Sequence, residues 1–107
     1  MIKFALLLRL VWVANFVLAE YGTPDQKQRY LVPGIRGERI GCLGITEPGA
    51  GSDVAGIRTT AIRDGDEYVI NGAKTFITNG ARADFCVLVT KTDPDKRHDG
   101  ITLFLVD

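Results

Sequence analysis

The sequence lacks an excess of charge of either sign. Its 107 residues include 13 lysines and arginines and 13 aspartates and glutamates, so the formal net charge at pH 7 is zero. Proteins that bind nucleic acid or an anionic membrane surface concentrate positive charge, because such partners are negatively charged. The sequence therefore predicts no nucleic acid partner and no membrane partner.

Cysteine and histidine are also scarce, which limits metal chemistry. Cys42 and Cys86 form no C-x-x-C pair, and we interpret both as buried, reduced thiols in apolar stretches. His98 is the one histidine, and it shares a loop with three aspartates that we interpret as solvated. Neither the G-x-G-x-x-G dinucleotide fingerprint in a strand–helix context nor the P-loop string is present. We therefore predict no metal site and no Rossmann or P-loop nucleotide site.

Residues 4–19 form an apolar run that only Arg9 and Asn15 interrupt. We favour a buried helix of a larger α-domain, or the remnant of one. A secretory signal is an alternative, because Lys3 precedes the run and residues 17–19 resemble a cleavage site. Arg9 in the apolar centre argues against that signal, and the run is too short to span a membrane. A start-site or fusion artefact is the third interpretation.

A second helix is predicted after this run, over residues 23–31. Thr23 can cap it, Pro24 suits the first helical position, and Gln26 completes a capping box. The proline and glycines within residues 33–37 are expected to end the helix and form a linker.

From residue 39 onward, short apolar or alternating segments separated by turns predict strands. Asn71-Gly72 predicts a hairpin between the segments on either side, and Asp64-Gly65 and Asn79-Gly80 predict further turns. The predicted fold is mainly β: a small β-barrel or sandwich of about five or six strands preceded by one or two α-helices. Residues 1–37 would be a helical segment and residues 38–107 a β-domain. The predicted strands are residues 39–46, 57–63, 67–70, 73–78, 83–90 and 101–106.

The glycine-rich turn over residues 46–53 is the first candidate site. Its glycines let a ligand approach the backbone, and successive backbone N–H groups can bind an anion. Thr46 and Ser52 add hydroxyl groups at either end. The turn could hold a polar cofactor, or it could be an ordinary turn between strands. Glu47 and Asp53 lie nearest to it, but nothing in the sequence places a substrate proton beside them.

The second candidate site is the segment over residues 74–80. If residues 73–78 form a strand, Phe76 and Thr78 share one face. An aromatic ring beside a hydroxyl suits a flat heteroaromatic cofactor, which needs a stacking surface and a hydrogen bond. The alternative is a core phenylalanine followed by a threonine at a strand end.

Together and in this order, the two stretches resemble the acyl-CoA dehydrogenase family. The similarity begins in residues 20–33, continues through the glycine turn and residues 65–72, and covers roughly residues 20–107. The matching strings are Thr46-Glu47-Pro48-Gly49-Ala50-Gly51-Ser52-Asp53 and Asn71-Gly72 followed by Lys74 and Phe76-Ile77-Thr78-Asn79-Gly80. The combination is far more specific to the family than either string alone.

The resemblance implies a middle β-domain that binds FAD non-covalently, between two helical domains. Such enzymes oxidise an acyl-CoA thioester to its trans-2-enoyl form, usually pass electrons to an electron-transferring flavoprotein, and usually form homotetramers. A glutamate removes the α-proton, and it usually lies in the C-terminal helical domain. No catalytic residue is therefore predicted in this chain.

The family's flavin contacts map onto two segments of this sequence. Thr46 would hydrogen-bond the flavin ring, Thr78 would do so near N5, and Ser52 would lie near both cofactor and acyl-CoA. Phe76 stands where many members have tryptophan, which changes the stacking area. The residues predicted to bind the cofactor are Leu43, Gly44, Ile45, Thr46, Gly51, Ser52, Phe76, Ile77 and Thr78.

Three interpretations of the chain's role follow from this resemblance. It is the middle domain of an acyl-CoA dehydrogenase, present as a fragment, a truncated product or a degenerate paralogue. Alternatively it is a non-catalytic β-domain that retains weak flavin or acyl-CoA binding, or a fragment of a related flavin enzyme such as an acyl-CoA oxidase or a nitroalkane oxidase. We predict a cytoplasmic location, with the mitochondrial matrix as the alternative in a eukaryote.

Overall fold

The computed structural model describes the backbone of residues 2–107 and the side chains of residues 12–107. A long helix and a shorter helical run come first, and five strands in one sheet follow. The helical elements are α1 (Ile2–Tyr21), α2 (Pro24–Gln26), a π-helical turn (Lys27–Leu31) and α3 (Val32–Ile35). The strands are β1 (Gly41–Gly44), β2 (Thr60–Asp64), β3 (Glu67–Asn71), β4 (Phe85–Lys91) and β5 (Ile101–Val106).

Helix α1 includes the apolar run, as the helix interpretation predicted; Met1 lies outside the described residues. Over the part whose side chains are described, α1 buries Ala14 and Leu18 against the sheet and leaves Trp12 and Phe16 exposed. Among residues 2–107, no helix is both long enough and apolar enough to cross a membrane.

The predicted capping box is present at the start of the second helical run. The Gln26 amide N–H donates to the Thr23 hydroxyl at 3.2 Å, and the Thr23 amide N–H donates to the Gln26 side chain at 2.9 Å. The predicted end near Leu31 is wrong, because the run continues through Pro33 to Ile35. Proline has no N–H to donate within a helix, and the preceding π turn accommodates this loss.

The run ends in a Schellman motif. The Glu38 N–H donates to the Pro33 carbonyl at 2.9 Å, and the Gly37 N–H donates to the Gly34 carbonyl at 3.2 Å. Gly37 has a φ of 75°, which a residue without a Cβ adopts at little cost. The predicted role of the glycine as a terminator is confirmed, one turn later than expected.

A clasp of three side chains joins the helical run to the sheet. The Arg39 guanidinium lies 5.0 Å from the centre of the Tyr30 ring and donates to Asp107 at 2.9 Å. The Tyr30 hydroxyl donates to the same carboxylate at 2.8 Å. We call Arg39, Tyr30 and Asp107 the clasp. It holds the end of β5 against the helices.

The hydrogen-bonded strands follow the order β1-β4-β2-β3. Strand β5 lies off this path and also pairs with β4. Strand β1 runs parallel to β4, with Gly41 opposite Phe85, whereas the β2–β3 and β4–β5 pairs are antiparallel. A mainly β region behind a helical segment is confirmed, but the five strands form an open sheet rather than a closed barrel. The division at residues 37 and 38 stays a prediction, since the two parts share a core of Ala14, Leu18, Tyr30, Phe85 and Val87.

The hairpin predicted at Asn71-Gly72 is wrong. The hairpin lies one turn earlier, where β2 and β3 are joined through Gly65, which has a φ of 62°. Strand β3 ends at Asn71, and residues 72–78 form no strand. They leave the hairpin and cross to the end of β1, where the Thr75 N–H donates to the Thr46 carbonyl at 2.8 Å.

Candidate functional site

An open cleft lies between α1, the end of β1 and the segment over residues 76–78. The volume that water-sized groups can occupy in it is about 180 Å³, below the roughly 300–1,000 Å³ of complete small-molecule pockets. Six of the nine residues predicted to bind a cofactor line it: Leu43, Ile45, Thr46, Phe76, Ile77 and Thr78. The other lining residues are Val13, Ala14, Gly41 and Cys42.

The remaining three predicted residues lie elsewhere. Gly44 is buried, and the space where a Cβ would project is occupied by the side chains of Leu88 and Cys86. Gly51 and Ser52 are exposed on the glycine turn, outside the lining of the cleft. The structure thus brings the two predicted segments together through their threonines and the aromatic ring. The ligand-binding roles of all nine residues stay predictions.

Phe76 projects from the rim of the cleft. It is 93% exposed and has a φ of 54°, a left-handed conformation that costs roughly 1–2 kcal/mol for a residue with a side chain. The predicted strand alternation of Phe76 and Thr78 is wrong, since this backbone is not extended. Bulky residues in such conformations concentrate at ligand-binding sites, where the surrounding structure holds them.

A buried ion pair fixes the two sides of the cleft. The Lys74 ammonium donates to Glu47 at 2.8 Å and to the Ile45 carbonyl at 2.9 Å, and the two side chains are only 9% and 6% exposed. The Glu47 carboxylate also accepts from the backbone N–H groups of Arg58 at 2.6 Å and Thr59 at 2.9 Å. We call Glu47 and Lys74 the clamp. Each carboxylate oxygen has a partner, so the charges are compensated despite their burial.

The charge state of Glu47 follows from these contacts. Burial raises the pKa of its carboxyl, but the hydrogen bonds that it accepts from Lys74, Thr59 and the Arg58 backbone outweigh burial and lower the pKa to about 2. Glu47 is therefore ionised at neutral pH, and its carboxylate oxygens already accept hydrogen bonds from other groups of the protein. A role as general base, which the sequence left open, does not suit this carboxylate.

Lys74 is the functional residue that the sequence analysis missed. It was quoted as part of a motif but given no role, because nothing local links it to Glu47. The sequence does contain a signal for a buried charge, since Lys74 is a single lysine among the apolar and β-branched residues of this segment. A charged residue at such a position is buried only when it is paired.

Gly72 makes the clamp possible. A Cβ at this position would overlap the backbone and side chain of Thr59, and the φ of 156° is unusual for any residue but glycine. The chain can therefore pass close to Thr59, the residue before β2, and bring Lys74 to Glu47. The Asn-Gly pair serves a close backbone approach, not the hairpin turn that the sequence predicted.

The chemistry available in the cleft is binding rather than proton transfer. Its lining, as far as side chains 12–107 form it, contains threonine hydroxyls, apolar side chains and the Cys42 thiol, but no carboxylate and no imidazole. A planar group could contact the Phe76 ring and accept or donate hydrogen bonds at Thr46 and Thr78. Among the residues that the structure describes, no three histidine, cysteine or acidic side chains group together as metal ligands.

Comparison with known proteins identifies the chain's relatives. The family model for the acyl-CoA dehydrogenase middle domain matches residues 42–107. A short-chain-specific acyl-CoA dehydrogenase of Clostridium acetobutylicum is 50% identical over 91 residues, which are 85% of this chain and 24% of the relative. The chain thus spans about a quarter of the length of the curated relatives it matches.

Solved structures agree in fold as well as sequence. An acyl-CoA dehydrogenase from Geobacillus kaustophilus is 53% identical with a TM-score of 0.79, over 84% of this chain and 24% of that one. A glutaryl-CoA dehydrogenase from Mycobacterium smegmatis, in complex with FADH2, is 44% identical with a TM-score of 0.79, over 86% and 22%. This chain belongs to the acyl-CoA dehydrogenase family and contains its middle domain.

Proposed function

We propose that this chain supplies the flavin platform of an FAD-dependent acyl-CoA dehydrogenase. FAD is the cofactor of the family. The single observation that supports the platform is the cleft, where the two family segments meet although 30 positions separate Thr46 from Phe76. The proposed activity is the oxidation of an acyl-CoA thioester to its 2-enoyl form.

The residues of the cleft suit a flavin ring. Phe76 offers an exposed aromatic face, and Thr46 and Thr78 offer hydroxyl groups on opposite segments. Leu43, Ile45 and Ile77 provide an apolar floor that excludes water from one side of a bound ring. When bound, FAD would supply a hydride acceptor. The clamp would keep the two threonines at a fixed separation, because Lys74 bonds to both Glu47 and the Ile45 carbonyl.

The rest of the reaction would depend on other parts of the enzyme. The residues described in the cleft lining include no carboxylate, so a base that removes the α-proton would come from outside the cleft. Ser52 on the exposed turn would contact the acyl-CoA. The same proposal has the enzyme pass its electrons to an electron-transferring flavoprotein. It also has the enzyme form a homotetramer and lie in the cytoplasm.

Titration of FAD tests the platform directly. We expect saturable quenching of flavin fluorescence with a dissociation constant in the micromolar range or weaker, because the open cleft would contact a flavin ring from one side only. Phe76→Ala should weaken binding about tenfold, the value of one aromatic stacking contact. Phe16→Ala is the matched control, since Phe16 is also an exposed phenylalanine but lies outside the cleft. Equal affinities for the two variants would refute the platform.

Turnover tests the absence of a base. We expect the pure chain, loaded with FAD, to oxidise no acyl-CoA with an artificial electron acceptor. Flavin-dependent turnover by the chain alone would show that a residue of this chain removes the proton. Retained FAD binding without turnover would support the platform and separate it from the activity of the whole enzyme.

A further inference from the structure

Two cysteines face each other across the strand pair that forms one wall of the cleft. In the parallel register of β1 and β4, Cys42 is directly opposite Cys86. Partners in register project to the same face of a sheet, and neighbouring strands lie about 4.8 Å apart. That spacing falls within the roughly 4.4–6.8 Å between Cα atoms that a disulfide spans. Both cysteines are reduced.

Gly44 leaves space for the Cys86 side chain on this face of the sheet. The Cys86 sulfur lies over Gly44, only 3.2 Å from where a Cβ at that position would be, so a side chain there would displace it. Cys42 also lines the open cleft, which gives small solutes a route to the pair.

The two thiols are not equivalent. Burial, followed by the neighbouring Cys42 thiol, raises the pKa of the Cys86 thiol to about 12. Cys86 therefore keeps its proton at neutral pH until it reacts. Cys42 lines the cleft and Cys86 does not, so Cys42 is the thiol that a solute in the cleft meets, and Cys86 lies beside it in register to react with what forms there.

We propose that Cys42 and Cys86 are a redox modification site that closes reversibly to a disulfide when a hydroperoxide enters the cleft. The Cys42 thiolate attacks the peroxide, the O–O bond breaks, and a sulfenic acid forms while the leaving oxygen departs as water or an alcohol. The Cys86 sulfur then attacks the Cys42 sulfur, the S–O bond breaks, and water leaves with the Cys86 proton. The two sulfurs lose two electrons in all, and the peroxide gains them.

Peptide mapping of the wild-type chain tests the site without any substitution. After treatment with stoichiometric hydrogen peroxide and alkylation of free thiols, we expect the intact chain to have lost two hydrogen atoms. A tryptic peptide covering residues 40–58 should be linked to the peptide covering residues 83–91, and dithiothreitol should separate them. Two freely alkylated thiols after peroxide, or a disulfide only between chains, would overturn the proposal.

Single substitutions identify the attacking thiol. In Cys86→Ser, we expect Cys42 to accumulate as a sulfenic acid that a dimedone probe traps, whereas Cys42→Ser should leave Cys86 unreacted. Equal trapping in the two variants would contradict the assigned order of attack. Melting curves of both variants check that each one remains folded, and the wild-type map decides the question if either does not.

Bound FAD should slow the modification, because the flavin would cover Cys42. This expectation rests on the proposed function, and it has its own readout: the rate of disulfide formation with and without saturating FAD. Disulfide formation that FAD does not slow would count against the position of the flavin and leave the cysteine site standing. Protection by FAD would support both.

Discussion

The clamp and the clasp each join distant parts of the chain through a cation and a carboxylate, but their environments differ. Glu47 and Lys74 are 6% and 9% exposed, whereas Asp107 and Arg39 are 58% and 32% exposed. The clamp connects the two segments of the cleft, and the clasp connects the helices to the end of the sheet. Water can replace either partner of the clasp, but it cannot do so in the clamp.

This difference in exposure indicates which contacts the structure of the cleft depends on. An exposed ion pair contributes about 0–1 kcal/mol, because solvent screens it and the free ions are well hydrated. Removing one partner of a buried pair costs about 3–5 kcal/mol, because the other charge is left without compensation. The cleft should therefore be sensitive to single substitutions at the clamp, and the helix–sheet contact tolerant of them at the clasp.

The largest effect is expected for Lys74→Met. It leaves the Glu47 carboxylate buried without its cation, so the free energy of unfolding at pH 7 should fall by about 3–5 kcal/mol in urea denaturation. The double variant Glu47→Gln with Lys74→Met is the control, because it buries no charge and the glutamine carbonyl oxygen can still accept from one of the two backbone N–H groups, that of Arg58 or that of Thr59. It should recover part of the loss. A loss below about 1 kcal/mol in the single variant would place the clamp in the same class as the clasp.

The second largest effect is expected in acid, which should remove the stability that the clamp contributes. The pKa of Glu47 is lowered on folding, from 4.5 to about 2, so its stabilisation is present above the unfolded pKa and is lost as pH falls toward 2. The difference corresponds to about 3 kcal/mol. Urea denaturation between pH 6 and pH 2 should show a steeper loss for wild type than for the Glu47→Gln, Lys74→Met variant. Parallel curves would mean that Glu47 does not carry this linkage.

A substitution of Gly72 should have a slightly smaller effect on stability. Gly72→Ala places a Cβ against Thr59 and forces a φ that alanine disfavours, so we expect a loss of roughly 3 kcal/mol. Gly65→Ala is the control, since Gly65 also has a positive φ but nothing lies within 4 Å of its Cβ position. It should cost only about 1 kcal/mol. Equal melting temperatures for the two variants would argue against close approach at Gly72.

The smallest effects are expected at the clasp. Arg39→Ala removes the guanidinium over the Tyr30 ring and an exposed ion pair, for a total of about 1–2 kcal/mol. Most of that loss should be independent of salt, because stacking on the ring is not screened as a solvated ion pair is. Urea denaturation at low and high ionic strength separates the two parts. A loss as large as that of Lys74→Met would remove the distinction between the two networks.

The sequence was most successful in predicting features that depend on short-range contacts. The capping box at Thr23 and Gln26 follows from two bonds between residues three apart, and the pattern alone was enough. The hairpin at Asn71-Gly72 failed because its signal is equally local. The Lys74 bond to Glu47 joins residues 27 positions apart and sets the path of the chain instead.

The candidate site was predicted in composition but not in geometry. The family strings located Thr46, Phe76 and Thr78, and the structure brings them to one cleft. The reason first given, alternation along a strand, does not apply to Phe76 with its φ of 54°. Left-handed backbone at a bulky residue has no sequence signature, because long-range contacts impose it against local preference.

The parallel pairing of β1 with β4 has a consequence for the order of folding. The β2–β3 and β4–β5 pairs are connected by short loops, whereas the β1–β4 register joins Gly41 to Phe85 across most of the β-region. Closing that long loop costs chain entropy before any contact repays it, so we expect this pair to form after the two local hairpins. Substitutions in β1 should then mainly accelerate unfolding, and the cleft would be the last part of the molecule to assemble and the first to open.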